Sequence, residues 1–259
     1  MDFQDITFEK CNGVARIYIN RPDKLNAFRN QTITDLINAL NDAGWDNEIG
    51  VIVLGAHGDK AFCVGGDQSA HDGFYDGKGT IGLPIEELHS VLRDIPKPVI
   101  ARVQGYSIGG GNVLVTLCDL AIASDKAKFG QAGPKVGSVD PGWGTAYLAH
   151  AIGEKKAREI WYLCRQYSAQ QALEMGLCNT VVPHEKLDEE IDQWCAEILQ
   201  KSPTAIAIAK SSFNAATENI RGVGSLGMQA LALFYQSAES KEGVNAFNEK
   251  RKPNFRQNF

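Results

Sequence analysis

The sequence predicts an α/β domain followed by a mostly helical last third. Two observations carry this. Short apolar runs alternate with turns and helical segments up to about residue 145, and helical segments then follow one another almost without interruption. Residues 13–20 alternate apolar and polar side chains, the pattern of a half-buried strand, and Arg21-Pro22-Asp23-Lys24 breaks it. Residues 32–43 place Ile33, Leu36, Ile37 and Leu40 at helical spacing. Residues 51–54 form a continuous apolar run, expected of a strand covered on both faces. A glycine-rich loop runs through Gly79, and a helix is predicted over residues 84–93. Residues 98–103 read as a strand, followed by glycines at 105–111, an apolar helix through Leu117 and a strand over 120–123. Helices are predicted over 157–164, 169–175, 187–200, 203–216 and 227–238, with a strand-like interruption at 176–183. The division expected is a core domain over residues 1–200 and a C-terminal helical region over residues 201–259.

Bulk properties exclude several classes. A net charge of −5 supplies no basic field for nucleic acid. The six cysteines form no CxxC pair and no zinc-finger spacing, so they read as free thiols of a reducing compartment, with no metal. No apolar run approaches the ~18 residues of a membrane span, and the first residues lack the basic and apolar regions of a signal peptide. A cytoplasmic protein without a membrane partner is expected.

Two glycine clusters follow strands: Ala61-Phe62-Cys63-Val64-Gly65-Gly66-Asp67-Gln68 and Gly105-Tyr106-Ser107-Ile108-Gly109-Gly110-Gly111-Asn112. Backbone N–H groups at such turns, or at a helix N-terminus, favour negative charge. Alone, each cluster is as well explained by an ordinary tight turn. Neither is a GxGxxG dinucleotide fingerprint or a GxxxxGK[ST] phosphate loop.

With Lys97-Pro98-Val99-Ile100-Ala101 and Cys118-Asp119-Leu120-Ala121-Ile122-Ala123, these clusters resemble the crotonase (enoyl-CoA hydratase/isomerase) family over nearly the whole chain. The resemblance implies a spiral of ββα units with a C-terminal helical region. It implies an acyl-coenzyme A substrate, and an oxyanion hole formed by the N–H groups of Gly66 and Gly110 around the thioester oxygen. It places coenzyme A and acyl contacts at Lys24, Leu25 and Ala27, at Ala61, Val64, Gly65, Asp67 and Gln68, at Tyr106, Ile108 and Gly109, and at Ala132, Gly133 and Lys250. It implies a homotrimer or a homohexamer built as a dimer of trimers, with C-terminal helices at the contacts.

Two departures narrow the chemistry. Where hydratases of the family carry acid/base glutamates, this chain has Val113 and Gly133, and a valine cannot transfer a proton. Residues 129–144, 155–164 and 249–253 instead resemble a branch that includes 1,4-dihydroxy-2-naphthoyl-CoA synthase and 2-ketocyclohexanecarboxyl-CoA hydrolase. In that branch Ser138 and Asp140 correspond to active-site groups, Tyr235 reaches the substrate of a neighbouring subunit, and Tyr75 corresponds to a substrate-lining tyrosine. Gly133 leaves room for bicarbonate or another small anion, and no tightly bound cofactor is implied. Read without the resemblance, Asp140 before Pro141 is a turn starter, Ser138 a local cap and Tyr235 a packed aromatic.

The loop over residues 69–84 is acidic and contains His71, a second acid/base candidate or a solvated loop histidine. The synthases of the branch are basic there. The expected reaction is therefore ring-opening hydrolysis of an alicyclic β-keto acyl-CoA, with synthase-type ring closure as the alternative. A noncatalytic acyl-CoA-binding or RNA-binding relative, and a different reaction of the family such as isomerisation or dehalogenation, are the competing classes.

Overall fold

The computed structural model describes residues 2–70 and 75–258. Two sheets organise the first two thirds. The larger runs in the order β1 (Ile6–Cys11), β2 (Val14–Ile19), β3 (Val51–Ala56), β5 (Val99–Val103), β7 (Leu120–Ser124), β10 (Thr180–Val182). The smaller runs β4 (Ala61–Cys63), β6 (Tyr106–Ile108), β8 (Lys128–Gly130), β9 (Gln166–Ser168). Among the described residues, only the β1–β2 and β8–β9 pairs are antiparallel. The continuous apolar run of β3 has the expected cause. Ile52 and Leu54 face the main core under α1 (Asn30–Trp45). Val51 and Val53 face a second cluster formed with Leu187, Ile191 and Cys195 of α7 (Leu187–Leu199). All six residues of the strand are buried.

The smaller sheet positions the site. β4 and β6 are parallel neighbours, and each runs directly into a glycine turn. Helix α2 (Ile85–Asp94) leads from the first turn back to β5, and α3 (Gly110–Leu117) starts on the second. A π-helical turn over Trp143–Tyr147, then α4 (Leu148–Ile152), α5 (Glu154–Leu163) and α6 (Ala169–Met175), close one end.

The last three helices, α8 (Pro203–Ala215), α9 (Asn219–Tyr235) and α10 (Ala238–Asn248), pack back over the core. Two buried cations tie them down. Lys210 Nζ donates to Leu92 O, Lys97 O and Asp119 Oδ2 at 2.8–2.9 Å. The guanidinium of Arg93 donates to Asn214 O and Thr217 Oγ1 and lies 4.7 and 4.8 Å from the ring centres of Trp143 and Tyr147. Hydrogen bonds from Lys210 and, for Arg93, two hydrogen bonds and two ring faces offset the cost of burying these charges.

Several elements differ from expectation. β1 and β4 are strands where none was predicted. The helix expected over 227–238 begins eight residues earlier, at Asn219, and ends at Tyr235. Ser237 then caps α10, its side chain accepting from Ser240 N at 3.2 Å. The strand-like stretch 176–183 contains only Thr180–Val182, because Gly176 is the left-handed cap of α6.

Candidate active site

The two glycine turns lie back to back. Gly65 has φ +90°, and a Cβ there would sit 2.9 Å from Gly110 N. A Cβ on Gly110 would meet Phe28 Cζ at 2.5 Å, and one on Gly66 would collide with the Tyr75 hydroxyl. The glycines are therefore required by close approach as well as by backbone angle. Gly109, at φ +59°, turns the chain so that Gly110 becomes the first residue of α3. Its N–H, like the others of a first helical turn, has no partner within the helix. A parallel bridge links Phe28 to Gly66, with Phe28 N donating to Gly65 O and Asp67 N donating to Phe28 O, both at 2.9 Å. The bridge holds the first turn against the segment that carries Lys24, Leu25 and Ala27.

These turns form one wall of a cavity of about 680 Å³, within the range of small-molecule sites. Lys24 and Leu25 stand exposed at its rim, where Tyr106 and Phe247 are also exposed. Ala27, Val64, Gly65, Asp67 and Gln68 line one side, and Ile108, Gly109, Ala132 and Gly133 line another. Burial pushes the Asp67 carboxyl up, but hydrogen bonds from Ser69 and Arg21 outweigh it and hold Asp67 below the ordinary carboxylate range. It is therefore a fixed anion that pins the loop, unsuited to proton transfer.

The opposite wall carries the titratable groups. Ser138 Oγ and Tyr235 OH share a hydrogen bond of 2.8 Å. Asp140 Oδ1 accepts from Gly144 N at 2.9 Å, so the side chain also caps the turn that follows it. Burial drives the Asp140 carboxyl up to about 7, only partly opposed by that hydrogen bond. The Tyr235 phenol is raised, mainly by burial, with Ser138 opposing the shift and Asp140 adding to it. Tyr75, buried against the Gly66 turn, is pushed well above the ordinary tyrosine range by burial, with Tyr235 and Asp67 contributing. Val113 is fully buried on α3 beside Gly144. A Cβ at Gly133 would lie 2.5 Å from Ser138 O, so a larger residue there requires the loop to move.

Three expectations need correction or relocation. Tyr235 reaches the cavity of its own chain, because α9 folds back over the loop that carries Ser138, whereas a neighbouring subunit was expected. Ala61 lies off the cavity: it is buried in β4, and its carbonyl accepts from the Asn26 and Gln104 side chains. Lys250 also lies off it, in a left-handed turn beyond the end of α10, where Phe247 and Asn248 are the lining residues. His71 falls outside the described residues.

The structure adds residues that the sequence reading passed over. Gln131 lines the cavity, is 3% exposed, and has both side-chain amide atoms without a hydrogen-bond partner. Its signal was its place directly after β8, whose Gly130 O accepts from Gly109 N at 3.0 Å. Met228 and Leu231 enter from α9 one turn apart, both inside the helix expected over 227–238, and it is the packing of α9 over the cavity that marks them as lining residues.

Comparison with known proteins agrees with this architecture. A family model described as enoyl-CoA hydratase/isomerase matches residues 9–258. An enoyl-CoA hydratase from Mycobacterium avium subsp. paratuberculosis K-10 superimposes with a TM-score of 0.88 at 30% identity, covering 98% of this chain and 99% of that one. A carnitinyl-CoA hydratase from Mycobacterium avium gives 0.85 at 30% identity over 99% and 100%. A methylmalonyl-CoA decarboxylase in complex with 2-nitronate-propionyl-CoA gives 0.85 at 30% identity over 98% of each chain.

Proposed function

The chain belongs to the enoyl-CoA hydratase/isomerase family and has the crotonase fold of these acyl-CoA-processing enzymes, and from that premise we propose that it hydrolyses the ring of an alicyclic β-keto acyl-CoA. One observation carries the reading: Asp140, a half-buried carboxyl raised to about 7, faces the same cavity as the Gly66 and Gly110 turns. A carboxylate poised near neutrality is suited to general-base work. Val113 and Gly133 occupy the positions of the hydratase glutamates and offer no such group.

In the proposed reaction the thioester oxygen accepts from Gly66 N and Gly110 N. Asp140 removes a proton from water as its oxygen attacks the ring ketone. The carbon–carbon bond between the ketone and the α carbon then breaks, and its electron pair forms the thioester enolate. Donors fixed before the reaction and aimed at this developing charge stabilise the transition state without reorganising. Tyr235, hydrogen-bonded to Ser138, donates towards the ketone oxygen or the enolate carbon. The product is a dicarboxylic acyl-CoA of the pimeloyl type. Lys24, Leu25 and Tyr106 at the rim are the proposed coenzyme A contacts.

Gln131 and Gly133 are the residues that would hold a small anion such as bicarbonate, since the Gln131 amide is buried and unpaired at the cavity wall. Such an anion would supply a base on that side. The proposed assembly is a trimer or a dimer of trimers through the C-terminal helices, supported by the exposed apolar side chains Phe213, Leu226 and Leu233.

The test is incubation with 2-ketocyclohexanecarboxyl-CoA and mass spectrometry of the products. A thioester heavier by one water is expected. No change there, together with loss of water from o-succinylbenzoyl-CoA, would replace the hydrolase by the synthase.

A further inference from the structure

A second cavity of about 210 Å³ lies behind Asp140. Glu86, His89, Ser90, Trp143, Arg221 and Ser225 line it, and Met228 borders both cavities. Ser225 is exposed and Glu86, Ser90 and Arg221 are half-buried, so the cavity leads from the surface inward. Its inner group is His89, 3% exposed, one turn from Glu86 on the same face of α2. His89 Nε2 is buried without a hydrogen-bond partner and lies 3.9 Å from Asp140 Oδ2.

That distance is too long for a direct hydrogen bond, and it is not an ion pair. Burial pushes the imidazole down to about 3, with Glu86 opposing, so His89 is uncharged at neutral pH. Two polar atoms so spaced, beside a polar cavity wide enough for several waters, are both within reach of one bridging water. A neutral imidazole nitrogen donates in one tautomer and accepts in the other. It therefore suits Asp140 in either protonation state.

We propose that the smaller cavity is a water path that reaches Asp140 from the side opposite the acyl-CoA, with His89 at its inner end as a positioning residue for the Asp140 carboxyl and its water. The proposal rests on the ring-opening reading for its purpose. Each turnover consumes one water. Its oxygen ends in the new carboxyl group, one of its protons ends on the α carbon, and the carboxylic acid then releases the other to solvent. With an acyl chain in the larger cavity, a rear path lets water enter and the proton leave before the product does. Of the titratable and charged groups here, His89 of α2 and Tyr235 of α9 act on Asp140 directly, while Glu86 of α2 acts on His89 and, with Arg221 of α9, lines the smaller cavity. Arg221 is held at the mouth by Asp94 and Glu218, and Tyr235 by Ser138.

The test compares His89→Phe, which keeps bulk but no polar atom, with His89→Asn, which keeps a donor and an acceptor. His89→Phe is expected to lower kcat by about tenfold or more, to leave KM unchanged, and to move the acid limb of the pH profile. His89→Asn is expected to recover most of kcat. A His89→Phe protein that melts like the parent and retains its kcat and pH profile overturns the positioning role. A crystal structure with a dry smaller cavity overturns the water path. Titration of the Asp140 carboxyl by ¹³C NMR in the parent and His89→Phe needs no substrate. A shift between the two supports the proposal and an identical titration contradicts it, even if the parent proves inactive on ring ketones.

Discussion

In the proposed reaction Asp140 concentrates both function and cost in one side chain. With its carboxyl near 7, kcat/KM should rise with pH through about 7 and level off above, because the base must be ionised. Asp140→Asn should lower kcat by roughly 10²-fold or more with little change in KM. The same shift makes a stability statement of definite sign. The folded state holds this proton more tightly than the unfolded chain, so the group's contribution is complete below about pH 4 and is lost as pH rises through about 7. Asp140→Asn, which cannot ionise, should therefore unfold at a higher temperature than the parent above that pH, by up to about 4 kcal/mol in stability. Below about pH 4 the difference should vanish. Asp140 and Ser138 were legible in the sequence because family motifs surround them. His89 and Gln131 were not: a lone histidine on an amphipathic helix and a glutamine after a short strand become candidates only once their burial and missing partners are known.

The secondary elements were legible to different degrees, for physical reasons. β3 and β5 announced themselves because both faces are covered, whereas β1, an edge strand with only Ile6 buried, did not. The start of α9 was obscured by three glycines among its first nine residues, Gly222, Gly224 and Gly227. Two of these have a packing reason: a Cβ on Gly227 would strike Pro141, and Gly224 faces Pro141 and Trp143. The glycines thus let α9 lie close against the Asp140 loop, which is how Tyr235 comes to Ser138. Tyr235→Phe should keep the fold and lower kcat by about 10²-fold, with KM largely preserved. Gly110→Ala should lower kcat by about 10²–10³-fold, because the added methyl group moves Phe28 or tilts the Gly110 N–H. Steady-state kinetics on the two variants separates proton donation from oxyanion stabilisation.

At the scale of the molecule, a helical layer closes the candidate active site of an α/β core, and this layer leaves apolar side chains outside. Phe213 is 77% exposed, Leu226 75% and Leu233 72%. Faces of this kind mark contacts with other chains. Light scattering should report a trimer or larger assembly, and Leu226→Asp with Phe213→Asp should reduce it to smaller species. The α/β class was legible from the strand recurrence, and the crotonase architecture from the resemblance of the glycine clusters and their neighbouring motifs to that family. The path of the last sixty residues was not, since their packing depends on buried contacts such as Lys210 with Asp119 that join residues far apart in the chain. Among the described residues no helix is long and apolar enough to cross a membrane.

The central claim is that water activated by Asp140 opens a ring ketone while Gly66 and Gly110 hold the thioester enolate. Its most direct test is turnover of 2-ketocyclohexanecarboxyl-CoA in ¹⁸O-labelled heavy water, with the label positions read by mass spectrometry. The expected result is ¹⁸O in the new carboxylate and deuterium on the carbon next to the intact thioester, with formation of this doubly labelled product slowed by roughly 10²-fold or more in Asp140→Asn. Release of free coenzyme A with ¹⁸O in the acid it leaves behind would make the protein a thioesterase and contradict the account.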